Sequence, residues 1–268
     1  MNTQEKVSAS PEIEHLRAVE KQLKEYILNN YDINDDGIAL KFTHTFRTKL
    51  VSDEICLNLN LSDRQIYLAG IIALFHDFAR FEQFKKYNSF NDMATFDHGD
   101  KAVEMLFDNN QIKDFVNDLT DEEYLIVKIA IKNHNKLSLE DGLTETQKMF
   151  CKIIRDADKV DIFRIIAFDP RCDGVKTGYL KQEDLDNFYN NKLFKKKEEH
   201  NFYDLALINI SYIFDLNFDC SCTILQTEKY VKMYMYSLLL WANFKIDEDL
   251  IACFEYADKY ISSRDNKQ

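Results

Sequence analysis

Histidines and one histidine–aspartate pair are the residues of this chain best suited to chemistry. Two of the 6 histidines, His15 and His200, lie in polar surroundings. The other four fall at the inner face or the end of a predicted helix, and they are His44, His76, His98 and His134. Asp77 follows His76 directly within the apolar run "LFHDFARFEQF". Because burying such groups is costly unless each is paired or binds a metal, the pattern predicts a shared divalent metal ion.

Further carboxylates interrupt the apolar helix predicted over residues 144–168, namely Asp156, Asp158 and Asp161. Imidazole nitrogens and carboxylate oxygens suit zinc, iron, manganese and similar ions. Helix bundles build such sites from side chains that project inward from facing helices. The periodicity does not choose between Asp156 and Asp158, because this helix is apolar on nearly all sides. Asp161, one turn after Asp158, is a candidate for hydrogen bonding to a metal ligand.

The position of Asp77 next to His76 allows its carboxylate to serve one ion and bridge to a second. Two ions about 3.5–4 Å apart would clamp a phosphate and activate a water molecule. We therefore expect one or two divalent ions, of manganese, iron, cobalt, nickel, zinc or magnesium. Asp77 is the candidate to orient or deprotonate the attacking water.

The elements that must position these residues are helices. Helical periodicity predicts a helix from Glu12 to Asn29 and a second one through "FTHTFRTKLVSDEICLNL", which carries His44. Capping boxes begin two more helices, "SDRQ" at 62–65 and "TDEE" at 120–123. The first of these is expected to run through His76 to Arg80 as one stripe. The stretch 87–97 is predicted to be a loop.

Composition agrees with a helical fold and limits the classes of partner. Hydrophobic residues make up 46% of the 268 residues, with only 2 prolines and 6 glycines, which predicts an all-α protein. The net charge of -12 opposes binding to a nucleic-acid backbone. No apolar stretch is long enough to span a membrane, no secretory signal is recognisable, and no CxxC pair occurs. We expect a cytoplasmic protein.

The order of the candidate ligands resembles the HD-domain superfamily of metal-dependent phosphohydrolases, whose pattern is H…HD…D on a helical core. The matching residues are His44, the pair His76 and Asp77, and "RDADKVD" at 155–161. No linker that would separate two domains is recognisable, so we expect a single all-α domain over 1–268 with a helical extension over about 180–262. The resemblance covers about residues 38–168 and implies an HD-type core there. It implies that His44, His76, Asp77 and Asp158 bind the first metal, since Asp158 holds the family position after alanine in "ADKVD".

His98 in "FDHGD" and His134 in "KNHNK" resemble the additional histidine positions of the HD-GYP phosphodiesterases. The resemblance implies that both bind a second ion; the alternative for His98 is a cap of its helix. The chain departs from that family because "HNK" replaces the double histidine and no GYP follows. The resemblance therefore does not extend to cyclic dinucleotide specificity.

Three basic residues are candidates for contact with a substrate phosphate. Arg80 occupies the place of the basic residue that follows the HD pair in many HD proteins, and it could also assist catalysis by stabilising phosphoryl charge. The alternative for Arg80 is an ion pair with Glu82 or another nearby carboxylate. Arg47 and Lys136 lie close in sequence to His44 and His134 and are further candidates.

The function these features predict is hydrolysis of a phosphate ester in a nucleotide or similar small phosphorylated compound. Two alternatives stay open. A few HD proteins use the same ligands for oxygen chemistry, which gives an HD-type di-iron oxygenase. A helical regulatory protein could instead keep the metal for structure. The C-terminal helices could cover the site or form a homodimer contact.

Overall fold

The computed structural model describes residues 10–195 and 199–265. All regular secondary structure within these ranges is helical, and no β-strand occurs among the described residues. The predicted all-α fold is therefore confirmed. No helix in the described part of the chain is long and apolar enough to cross a membrane.

Two compact units divide the chain between Ile154 and Arg155. The helices of the first unit are α1 (Pro11–Asn30), α2 (Asp36–Asn58), α3 (Asp63–Phe75), α4 (Phe78–Tyr87), α5 (His98–Val103) and α6 (Asp121–Asn133). Helix α7 (Glu145–Phe168) begins in the first unit and ends in the second. The second unit continues with α8 (Gln182–Tyr189), α9 (Phe202–Ser211), α10 (Asp219–Thr227), α11 (Tyr230–Trp241) and α12 (Glu248–Asp265). The single domain over 1–268 stays a prediction.

Helix α3 is the centre of the first unit. Every residue from Ile66 to Phe75 is buried, and α3 contacts α1, α2 and α6. A helix that is apolar on all sides is stable only when other elements surround it. Gly70 allows α1 to approach closely, because a Cβ atom at this position would lie 2.5 Å from Leu16 Cδ2. This central helix delivers His76 and Asp77 to the interior at its C-terminal end.

The segment from α3 to α4 differs from the continuous helix that the apolar stripe predicts. Helix α3 ends at Phe75, α4 begins at Phe78, and Asp77 has φ -102° and ψ 18°, outside the helical region. The cause is local, since the His76 ring nitrogen Nδ1 lies 2.8 Å from the carbonyl oxygen of Ala73. That carbonyl is one of the last in α3, where no further helical amide is available. The prediction of one helix carrying both His76 and Arg80 is therefore wrong.

Both capping boxes predicted from the sequence are present. Ser62 and Gln65 begin α3, and Thr120 and Glu123 begin α6. The two helix starts are also joined, because Arg64 Nε and Nη2 donate to Glu123 Oε1 and Oε2 at 2.7 and 2.8 Å. This ion pair links the N-terminal ends of α3 and α6, and the C-terminal ends of the same two helices carry His76 and His134.

Replacing Arg64 with methionine is expected to lower the free energy of unfolding by about 1 kcal/mol at pH 7, a figure reduced for partial exposure. The hydrogen bonds from Arg64 lower the pKa of Glu123 from 4.5 to about 2, against the effect of burial. The ion pair thus contributes fully above pH 4.5, and its contribution falls as the pH drops from 4.5 toward 2. Urea unfolding at pH 7 and at pH 3.5 measures this change. An equal wild-type advantage at both pH values would contradict it.

The second unit has a core of its own. Each helix from α9 to α12 contributes buried side chains to it, and these include Leu207, Leu225, Tyr234, Phe254 and Ile261. Helix α12 contacts α8, α9, α10 and α11. The six cysteines of the chain are all buried and none forms a disulfide.

Candidate metal centre

A buried cluster of four imidazoles around one carboxylate lies in the first unit. His44 comes from α2, His76 and Asp77 from the break between α3 and α4, His98 from the first residue of α5, and His134 from the residue after α6. All five residues are buried, and none is more than 5% exposed. The structure thus brings together five of the six residues predicted as metal ligands.

The carboxylate of Asp77 faces a different pair of histidines with each oxygen. Oδ2 lies 3.5 Å from Nε2 of His44 and 3.6 Å from Nε2 of His76. Oδ1 lies 3.3 Å from Nε2 of His98 and 3.7 Å from Nε2 of His134. The arrangement forms two groups of three ligand atoms that share Asp77.

The spacing of the ligand atoms fits two metal ions. The Nε2 atoms of His44 and His76 are 3.4 Å apart, and those of His98 and His134 are 2.9 Å apart. Two ligands that each bind an ion at about 2.1 Å can lie up to about 4.2 Å from each other. All the separations within each group are shorter than this limit.

The hydrogen bonds of His76 and His134 fix which ring nitrogen faces the cluster. Nδ1 of His76 lies 2.8 Å from the Ala73 carbonyl oxygen, and Nδ1 of His134 lies 2.7 Å from the Ile131 carbonyl oxygen. A carbonyl oxygen only accepts, so Nδ1 carries the proton in both rings. Each Nε2 therefore faces the cluster, the orientation in which a metal-ligating histidine is held by its other ring nitrogen.

His98 is oriented by a carboxylate instead. Its Nδ1 lies 2.6 Å from Asp92 Oδ2, so Nε2 faces the cluster, 2.9 Å from Nε2 of His134. Burial, together with the charge of Arg80, lowers the pKa of His98 to about 3, which leaves the imidazole neutral at pH 7. A cation between the two rings would accept a lone pair from each Nε2 at this separation. This pair therefore supports the cluster as a group that could hold a metal.

Asp77 is ionised in spite of its burial. Burial by itself raises the pKa of a carboxyl group, but the charge of Lys41 and the contacts with the histidines hold the pKa of Asp77 well below its usual value. A buried anion surrounded by imidazole nitrogens is an arrangement that favours a divalent cation.

The contact between Asp92 and His98 yields a prediction about metal affinity. Replacing Asp92 with asparagine is expected to weaken one of two metal sites by roughly 10- to 100-fold, because the partner of a ligating histidine orients the ring and raises its basicity. Calorimetric titration with Mn²⁺ measures this change. Asp100→Asn is the matched control, since Asp100 lies in the same region and pairs with Lys136. Equal Mn²⁺ affinities in wild type and Asp92→Asn would contradict the role of Asp92.

Arg80 is held by groups of the protein. Its Nη1 donates to Gln83 Oε1 at 2.6 Å, to the Phe90 carbonyl at 2.8 Å and to Asp92 Oδ1 at 2.6 Å. Its Nε lies 3.6 Å from Asp77 Oδ1. Pairing with a nearby carboxylate is thus present, with Asp92 as the partner. The contact of Arg80 with a substrate phosphate stays a prediction.

The other two predicted phosphate-binding residues lie apart from the centre of the cluster. Lys136 donates to Asp97 and to Asp100, at 2.7 and 2.9 Å. Arg47 is exposed on α2. A substrate-binding role for Lys136 and Arg47 stays a prediction.

Several residues that surround the cluster were not predicted from the sequence. Lys41 lies 2.6 Å from Asp77 Oδ2, and its position three residues before His44 on α2 is the signal that could have identified it. Asp92 and Asn135 both contact the Nδ1 side of His98. Asp92 lies in the stretch 87–97, which has no periodicity, so its role has no pattern in the sequence.

The structure at the start of α5 tests the alternative interpretation of His98 as a helix cap. The side chain that caps the helix is that of Asp97, which accepts a hydrogen bond from the Asp100 amide. His98 follows as the first helical residue and directs Nε2 to Asp77 and His134. The interpretation of His98 as a simple helix cap is therefore wrong.

The aspartates of α7 differ in what they bind. Asp156 is fully buried and accepts hydrogen bonds from the Asn217 amide at 2.9 Å, the Phe218 amide at 2.9 Å and the Ser221 hydroxyl at 2.8 Å. Asp161 accepts from Arg164 at 2.6 Å. Asp158 is half-buried. Because Asp156 is engaged within the second unit, Asp158 stays the predicted ligand.

Comparison with known protein families agrees with this site. A family model described as HD domain matches residues 42–162, a range that includes every histidine of the cluster, Asp77 and Asp158. Comparison with curated proteins and with solved structures gives no significant match. Together with the helical fold and the histidine–aspartate cluster, this match identifies residues 42–162 as an HD domain.

Proposed function

We propose that this protein is a metal-dependent phosphohydrolase that cleaves a phosphate ester of a nucleotide or similar small phosphorylated compound. The observation that carries the proposal is the position of Asp77, with one oxygen toward His44 and His76 and the other toward His98 and His134. Two-metal sites of this kind stabilise the attacking and leaving oxygens of a displacement at phosphorus. HD-domain membership supports a metal-dependent, hydrolase-like function.

The residues of the cluster have distinct proposed roles. His44, His76 and Asp77 would hold one divalent ion, and Asp77, His98 and His134 would hold the other. Asp158 is the proposed further ligand of the first ion. Bound divalent ions would lower the pKa of a coordinated water toward 7 and offset charge on phosphoryl oxygens.

Asp77 and Arg80 are the residues proposed to act on the reacting groups. A carboxylate has about four lone-pair positions, so Asp77 can bind cations and still accept a hydrogen bond from the attacking water. The Arg80 guanidinium, with Nε 3.6 Å from Asp77, adds positive charge beside the position of the phosphoryl group. A cytoplasmic location and a homodimer remain part of the proposal.

A panel of substrates with several metals tests the function. Nucleotides, cyclic nucleotides and p-nitrophenyl phosphate would be assayed with Mn²⁺, Co²⁺, Ni²⁺, Zn²⁺ and Mg²⁺. We expect metal-dependent hydrolysis that falls to the buffer rate in His76→Ala, with the helical circular dichroism unchanged. His15→Ala is the matched control, because His15 lies in the same unit but outside the cluster.

The outcomes of this panel separate the alternatives. Bound iron with consumption of oxygen, and no hydrolysis of any phosphate ester, would favour a di-iron oxygenase. Loss of helical circular dichroism in His76→Ala, with no turnover by the wild type, would favour a structural metal in a regulatory protein.

A further inference from the structure

Lys41 lies in direct contact with the carboxylate of Asp77, closer to it than Arg80 does. Its Nζ lies 2.6 Å from Asp77 Oδ2, the oxygen that also faces His44 and His76. The side chain of Lys41 is 15% exposed, and that of Asp77 is 3% exposed. The pair is therefore a largely buried ion pair at the edge of the cluster, with the lysine on the side nearer to solvent.

In the absence of metal, this lysine supplies a cation that the buried carboxylate needs. An isolated carboxylate at this depth is strongly disfavoured, and the Lys41 ammonium lies within hydrogen-bond distance of it. The ammonium of Lys41 therefore stabilises Asp77 in the same way as a bound ion, at the same oxygen.

Metal binding would weaken the attraction between Lys41 Nζ and Asp77 Oδ2. A divalent ion held by His44, His76 and Asp77 would neutralise the carboxylate and repel the nearby ammonium. Lys41 then loses its anionic partner. The long, flexible stem of lysine allows the ammonium to move, and the nearest new anion is the phosphate of a substrate at the ions.

We propose that Lys41 competes with the metal for Asp77 and, once displaced, binds the substrate phosphate. This inference rests on the proposed function. It assigns to Lys41 two opposite effects, namely weaker metal binding and tighter phosphate binding. If Lys41 only oriented Asp77 as a ligand, its presence would strengthen metal binding.

The test compares Lys41→Met with wild type by calorimetry. Methionine keeps an unbranched stem but removes the charge. Titration of the metal-free proteins with Mn²⁺ is expected to show binding about tenfold tighter in Lys41→Met, because the variant lacks the charge that repels the ion. Titration of the Mn²⁺-loaded proteins with inorganic phosphate is expected to show binding about tenfold weaker in the variant.

Lys49→Met is the matched control. Lys49 lies on the same helix, its side chain is 12% exposed, and it pairs with Asp53 at 2.7 Å, away from the cluster. Its replacement is expected to change neither titration. Thermal unfolding with and without Mn²⁺ adds a further readout, because the stabilisation by Mn²⁺ should be larger in Lys41→Met than in wild type.

The possible results separate this inference from the proposed function. Unchanged or weaker Mn²⁺ binding in Lys41→Met overturns the claim that Lys41 competes with the metal for Asp77. Unchanged phosphate binding overturns the claim that the displaced lysine binds the substrate phosphate. In both cases a wild type that binds metal and hydrolyses phosphate esters keeps the proposed function. A wild type that binds no Mn²⁺ overturns the inference and the metal-dependent function together.

Discussion

Asp77→Asn is expected to abolish metal binding at both sites and to reduce turnover to the buffer rate. Asp77 is the one residue common to the two groups of candidate ligands found among the described residues. Asparagine has the same shape but no charge, and its NH₂ group places a donor where one cation must bind. The measurement is metal content after dialysis against Mn²⁺, together with the rate of phosphate release.

The same substitution also changes the metal-free protein. Lys41 loses the charge of its partner, so the free energy of unfolding is expected to fall on the order of 1–3 kcal/mol. Asp53→Asn is the matched control, since Asp53 forms a similar pair with Lys49 on α2. That variant is expected to keep both ions and full turnover. An Asp77→Asn protein that retains two bound ions would show that the carboxylate is not a shared ligand.

Asp156→Ala is expected to have the largest effect on stability, a loss of about 3–5 kcal/mol in the free energy of unfolding. Asp156 is fully buried, and its carboxylate accepts hydrogen bonds from two backbone amides, the Asn217 side chain and Ser221. Removing the acceptor leaves these donors without a partner in the interior. Urea unfolding followed by circular dichroism measures the loss.

Asp158→Ala is the contrasting variant, because Asp158 lies two residues away on the same helix and is half-buried. We expect it to unfold within about 1 kcal/mol of the metal-free wild type. Its affinity for one Mn²⁺ ion is expected to fall, since the family pattern makes it a ligand. The opposite result, in which Asp156→Ala folds normally and loses metal while Asp158→Ala loses stability, would assign the ligand to Asp156.

The sequence was sufficient to predict much of the fold and the centre of the site. Both capping boxes start helices where expected, because their hydrogen bonds are local to four residues. His44, His76, Asp77, His98 and His134 were all identified from residue type and from the resemblance to HD domains. The cost of burying such groups makes their positions informative without any knowledge of the tertiary structure.

What the sequence did not predict depends on individual side-chain contacts, most of them between distant segments. The break between α3 and α4 follows from the His76 ring, whose Nδ1 binds the Ala73 carbonyl, and periodicity does not report this bond. Asp92 contacts Arg80 and His98 from the stretch 87–97, whose sequence has no helical periodicity. The engagement of Asp156 likewise needs residues 217–221, about 60 positions further along the chain.

Anomalous X-ray diffraction from crystals grown with Mn²⁺ tests the shared role of Asp77 most directly. We expect two peaks, one among His44, His76 and Asp77 and the other among Asp77, His98 and His134. Crystals whose histidine cluster contains no anomalous peak, although Mn²⁺ is present at millimolar concentration, would contradict the assignment of these residues as a metal centre.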